Sequence, residues 1–148
     1  MIFSHILISQ SGRDIDCPSF INLRDKWYSR FSPHYFIGNG VLTRDGKVYA
    51  NVPNFPDVYN LCDPSIAFLK ICLIGNLHRT PITQFQLDSL INLLESELEE
   101  GDIPIGNIRG EGEITESSDF CLGNYLNMNS LRSQVRSRFT IYLSSFDS

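Results

Sequence analysis

Histidine is scarce in this chain: His5, His34 and His78 are the only three among 148 residues, and no two of them stand at a metal-sharing spacing. A histidine-built metal centre is therefore not announced by the imidazoles themselves. Cysteine gives no framework either. Cys17, Cys62, Cys72 and Cys121 form no C-x-x-C pair, which excludes a zinc-ribbon or thioredoxin-type motif and leaves any disulfide connectivity undetermined. Positive charge is in deficit, with 12 Lys and Arg against 17 Asp and Glu, a net charge of -5 and a pI near 5.1. That balance argues against a general nucleic-acid binder, which needs a basic field to displace counterions. Arg132, Arg136 and Arg138 are the one basic cluster and suit a solvated helix face. No apolar run approaches the roughly 18 residues needed to cross a bilayer, and the N-terminus lacks a secretory signal pattern. Synthesis in the cytoplasm with free thiols is the expectation. The Gly38-Asn39-Gly40 segment lacks the Lys and Ser/Thr of a phosphate loop, and no repeat or low-complexity tract is present.

What remains is the composition of one ordinary domain, with 42% hydrophobic and 20% charged residues and a length that allows roughly two thirds of the unfolded surface to be buried. Ile2 to Ile8 is a short apolar run suited to a strand buried on both faces. Pro18 and Ser19 suit the first turn of a helix whose Phe20, Leu23 and Trp27 share one side. Val41–Thr43 and Lys47–Tyr49 flank Arg44-Asp45-Gly46, a hairpin signal. Residues 51 to 65, with Pro53, Pro56 and Pro64, read as a loop. Ile66 to Ile74 returns to the core, and Lys70 inside it implies that one face or end reaches solvent or a carboxylate.

The clearest helix begins near Thr80-Pro81, with Thr83 and Gln86 spaced as a capping box and Leu87, Leu90, Ile91, Leu94 and Leu98 forming one apolar side; Gly101 is a natural stop. Glu97, Glu99 and Glu100 crowd its last turn, and a solvated acidic face explains them. Ile103 to Ile108 reads as a strand. A last helix from Asn129 to Arg138 would bury Leu131 and Val135, and Phe139 to Leu143 alternates like a half-exposed strand. The pattern predicts an α/β single domain, a central mixed five- or six-stranded sheet with helices on both faces.

Four stretches stand in a telling order: His5-Ile-Leu-Ile-Ser-Gln-Ser11, Leu42-Thr-Arg-Asp-Gly-Lys-Val-Tyr49, Lys70-Ile-Cys-Leu-Ile-Gly75, and Gly110-Glu-Gly-Glu-Ile114 followed by Cys121-Leu-Gly123. Together they resemble the zinc-dependent N-acetylmuramoyl-L-alanine amidase and peptidoglycan-recognition family, as found in bacteriophages, over residues 3 to 135. The resemblance implies that family's α/β fold, with an amidase-like domain over 1–138 and a strand-like extension over 139–148 that would add a strand to a neighbouring chain.

Amidases of this kind hold zinc with two histidines and a third ligand, leaving a position open for the water that the ion activates. Carried onto this chain, the first histidine falls at Ser9 or Gln10, the second at Glu111, and the third ligand at Cys121. A further active-site histidine falls near Asn60, and the catalytic tyrosine near Gly38 unless a small gap brings Tyr35 into register. Asp119 lies close by in sequence. A serine hydroxyl or glutamine amide is a poor zinc ligand beside an imidazole. A Cys–Glu pair would blunt the Lewis acidity of any ion it held.

The resemblance therefore implies a pseudoenzyme whose zinc site is lost: no catalytic residues, no metal, no cofactor, and a vestigial groove of Ser9, Gln10, Tyr35, Asn60, Glu111, Asp119 and Cys121. Its implied roles are a protein-interaction or structural module, through a protein partner or homo-oligomer, such as a phage virion, tail or host-takeover component. The alternatives are peptidoglycan binding without cleavage, and an amidase with an atypical zinc site. Other chemistries fare worse. Cys121 lacks the surroundings of a thiol nucleophile, and Glu111, Glu113, Glu116 and Asp119 read as solvated loop carboxylates.

Overall fold

Two apolar runs make the centre of the fold. In the computed structural model, which describes residues 3–24, 33–51, 58–60, 63–111, 113 and 126–146, strand β1 (His5–Gln10) lies parallel to β5 (Asp63–Leu73), with Ile6 beside Leu69 and Ile8 beside Ile71. Both isoleucines of β1 and Ile71 are wholly buried, as expected of strands covered on both faces. The remaining strands are short: β2 (Tyr35–Ile37), β3 (Val48–Ala50), β4 (Val58–Asn60) and β6 (Ile108–Gly110). They complete a six-stranded mixed sheet in the order β3-β2-β5-β1-β6, with β4 antiparallel to the first half of β5 and β2 parallel to its second half.

Alternation along β5 divides the core. Leu69, Ile71 and Leu73 face helix α2 (Gln84–Gly101) and helix α3 (Met128–Phe146) in the main cluster, with Leu90, Leu94, Leu98, Leu131 and Val135. Each such side chain, fully buried, contributes about 1.5–3 kcal/mol. Cys72 and Ile74 face the other way and meet Ile21 of helix α1 (Pro18–Arg24) and Phe36. Helices thus cover both faces. Among the described residues no helix is long and apolar enough to cross a membrane.

Several elements differ from the sequence expectations. The hairpin joins β2 to β3, and Val41 and Leu42 are exposed members of its loop instead of a strand. Tyr49 Oη accepts the Arg44 amide, and Gly46 at φ 75 takes the amide-to-carbonyl bond back to Gly38. The expected loop over 51–65 contains β4, and β5 begins already at Asp63. Helix α2 starts at Gln84, a few residues after the expected Thr80-Pro81, with the expected Thr83–Gln86 capping box at its start, and it runs through Gly101; Asp102 takes the left-handed cap conformation at φ 51. A 3-10 turn at Ile105–Asn107 replaces most of the strand expected at 103–108. The C-terminal strand is overturned as well: residues 139–146 continue α3. Leu131, Val135 and Phe139 recur every fourth residue against the main cluster, so the helical period carries on through the segment that was read as alternating. Arg138 then ties α3 to α2, bonding Asn92 at 2.8 Å and pairing with Glu95 at 3.3 Å.

Candidate functional site

The face of the sheet that carries α1 also carries the polar residues. Alternation places Leu7 and Ser9 of β1 on this face, beside Lys70 and Cys72 of β5. On the other flank of β1, Ile8 pairs with Gly110, which brings Glu111 level with Ser9. The Lys70 Nζ lies 3.9 Å from the Glu111 carboxylate, with side-chain exposures of 9% and 22%. That separation is a charge attraction and not a hydrogen bond. The carboxylate expected from the lysine's place in an apolar strand is therefore Glu111. Lys70 is buried and Glu111 partly so, and removing the carboxylate would take a favourable charge away from the ammonium.

Two further polar groups line this floor. Ser9 is 2% exposed, and its Oγ has no hydrogen-bond partner among the described residues. His34, read from sequence as part of a connection, is also buried: its backbone amide donates to Lys70 O at 2.8 Å, and its Nδ1 accepts the Lys70 amide at 3.0 Å. Sequence reasoning missed it as a site residue. The signal lay in the register, since Tyr35 pairs with Ile71 and the preceding His34 must fall beside Lys70.

The other residues proposed from sequence separate. Gln10 is not beside Ser9 on this face; its Oε1 accepts the Leu77 amide at 2.6 Å. Tyr35 belongs to the α2 face, where its hydroxyl donates to Glu97 at 3.3 Å. Burial and then the Glu97 charge raise the Tyr35 pKa, and burial raises that of Glu97 despite the hydrogen bond from Tyr35. Asn60 pairs with Asp63 at the far end of β5 from Lys70, roughly 20 Å away by strand rise. Asp119 and Cys121 lie outside the described residues, as does Cys62; Cys17 and Cys72 are free thiols. Beyond the floor, Glu113 accepts from Gly110 N at 2.9 Å and from both terminal nitrogens of Arg132.

The described donors do not fit a catalytic zinc ion. Ser9 offers a neutral hydroxyl, Glu111 already neutralises an ammonium, and that ammonium would repel a divalent cation. No group of three or more His, Cys, Asp or Glu among the described residues is arranged to hold a metal. His5 is turned to other contacts, its Nδ1 2.8 Å from Ser4 Oγ and its ring edge-on to Phe68. His78 is exposed in the loop after β5.

No family profile matches the chain, and neither does any curated protein. Solved structures do. The N-acetylmuramoyl-L-alanine amidase LysC from Clostridium intestinale URNW superposes with a TM-score of 0.74 at 18% identity, covering 90% of this chain and 85% of that one. The fold is that of the amidases and peptidoglycan-recognition proteins. The Ph2119 endolysin from the Thermus scotoductus MAT2119 bacteriophage Ph2119 matches at 0.66 and 16% identity, over 91% and 86% of the two chains. A Drosophila PGRP-LB mutant in complex with tracheal cytotoxin matches at 0.64 and 17%, over 84% and 78%.

Proposed function

We propose that this chain is a non-catalytic amidase-like domain that binds peptidoglycan without cleaving it. The observation that carries the reading is the floor itself: Ser9, Lys70 and Glu111 meet where a hydrolytic member of this fold would need ligands for zinc, and none of the three is an imidazole. A neutral hydroxyl and a lysine–carboxylate pair supply neither a Lewis acid nor an activated water. Binding is the property such a site retains. The likeness to a PGRP-LB chain that holds tracheal cytotoxin supports a ligand-binding role for the fold.

The test is co-sedimentation with purified peptidoglycan sacculi, followed by assay of the supernatant for released stem peptides with added zinc. The expected result is retention on the sacculi and no release. Chelator-sensitive release would replace this reading with that of an atypical amidase, and no retention would remove peptidoglycan as the partner.

A second reading, a protein-interaction or structural module such as a virion component, is favoured by exposed apolar side chains on two loops and a helix start. Val41, Leu42, Ile15 and Phe85 are each more than half exposed, at 55%, 56%, 60% and 66%. All four belong to segments at the C-terminal ends of β1 and β2 or at the start of α2. Loss of self-association or of a co-purifying protein in a V41S/L42S variant would support this reading.

A further inference from the structure

We propose that Lys70 is a tethered cation that stands in for a metal ion: paired with Glu111 across β1, above the buried Ser9 hydroxyl, it is the group that makes this site refuse zinc. The inference rests on the non-catalytic reading and gives it a cause. Lys70 of β5 and Glu111, just after β6, flank β1 and are offset by two residues along it, so their backbones stand about 12 Å apart. Their charged ends are nevertheless 3.9 Å apart. The two side chains therefore reach toward each other over β1, Lys70 from the level of Leu7 and Glu111 from that of Ser9.

An ammonium at that point does three things. It brings one positive charge to the floor, it lies within reach of the Glu111 carboxylate, and it opposes the approach of any second cation. A buried carboxylate requires a positive partner. Here the partner is covalently part of β5, so the floor is neutralised from within and needs no ion from solution. Restoring histidines alone would not restore the metal site, because the repelling charge would remain.

Three proteins test this: the wild type, S9H/E111H, and S9H/K70G/E111H. Each is purified, checked for folding by circular dichroism, loaded with zinc, and measured for metal content and for zinc-dependent thermal shift. The wild type is expected to carry less than about a tenth of a zinc per chain. The double variant should remain close to it. The triple variant should approach one zinc per chain and gain roughly 100-fold or more in zinc affinity over the double variant, the consequence of removing a fixed like charge from beside the ion.

Stoichiometric zinc in the wild type overturns the proposal. So does equal zinc binding by double and triple variants, or a folded triple variant with no gain. If the triple variant does not fold, a cycle of K70M, E111L and K70M/E111L decides instead. Each single variant should lower the thermal midpoint, and the double should recover most of the loss. Strictly additive losses would mean that the two residues do not act as a pair, and would sink the idea. Failure to bind sacculi, by contrast, would remove the peptidoglycan reading and leave the zinc result standing.

Discussion

Gln86 fastens helix α2 to the ends of two strands, and its truncation should be among the most damaging polar substitutions in the chain. The residue is 1% exposed. Its Oε1 accepts the Thr83 amide at 3.1 Å, while its own backbone amide donates to Thr83 Oγ1 at 3.0 Å, which closes the capping box. Its Nε2 donates to Ile74 O at 2.9 Å and Ile37 O at 3.2 Å. Ile37 O also accepts the Ile74 amide at 3.0 Å, so a truncation orphans chiefly Ile74 O. Losing half of the capping box costs about 1 kcal/mol, and an orphaned buried carbonyl costs about 1–3 kcal/mol more. Q86A should therefore lose about 3 kcal/mol in urea unfolding with an unchanged denaturant slope, whereas T83A, which loses the cap and an exposed bond to Asp45 but leaves Ile74 O paired, should lose about 1 kcal/mol. Q86M keeps most of the volume and should remain close to Q86A. If Q86A and T83A fall within about 0.5 kcal/mol of each other, the link to Ile74 O has no energetic weight and the reasoning fails.

The two ionic clusters outside the floor titrate in opposite senses. The Glu97 pKa is raised above 4.5 mainly by burial, so the stability linked to its protonated form is complete below 4.5 and is lost as pH rises through the folded value. E97Q, which can still accept the Tyr35 hydroxyl, should be more stable than wild type at pH 7, with the advantage fading toward pH 4.5; a pH-independent difference in thermal midpoint would contradict this. The Glu113 pKa is lowered below 4.5, first by the hydrogen bonds from Arg132. Its contribution is present above 4.5 and lost as pH falls through the folded value, so the gap between wild type and R132A should narrow only in acid. R132A should cost about 1–3 kcal/mol at pH 7, because Arg132 also donates to Ile108 O at 2.7 Å and so ties α3 to β6; a loss under about 0.5 kcal/mol by urea unfolding would count against it.

Legibility followed the range of the interaction. Strand β1, the capping box of α2 and its apolar side could be read directly, because each is a local pattern whose period matches its structure. The C-terminal strand was misread because five residues that alternate are also compatible with a helix, and only the longer interval of Leu131, Val135 and Phe139 separates the two. Val41 to Thr43 was misread because β-branched residues before Asp-Gly resemble a strand; the chain instead folds Thr43 inward, where its Oγ1 accepts the Asn39 amide at 3.1 Å. At the site, Ser9 and Glu111 were named from the order of motifs. Choosing Ser9 over Gln10 required the face of β1, which a one-residue ambiguity reverses. Lys70 was visible as an anomaly in an apolar strand, but its partner was not, because the pair is closed by two parallel strand registers that no short window contains.

Much of what holds this fold together lies away from the polar floor. At the C-terminal end of the strands, Asp14 binds the Asn76 amide at 2.9 Å and the Thr80 hydroxyl at 2.8 Å, while its carbonyl takes the Asn39 amide group at 2.9 Å. Gln86 secures β2 and β5 to α2 from the opposite face. The described loops there are thus fixed by hydrogen bonds among their own side chains and backbone. A zinc finger unfolds when its ligands are removed, since metal affinity is its folding energy. Here the main cluster from Ile6 to Val135 supplies that energy, and the demand left at the floor is electrostatic: the partly buried Glu111 carboxylate is steadied by a nearby cation. Lys70 meets it from within the chain, which separates the survival of the architecture from the survival of the chemistry.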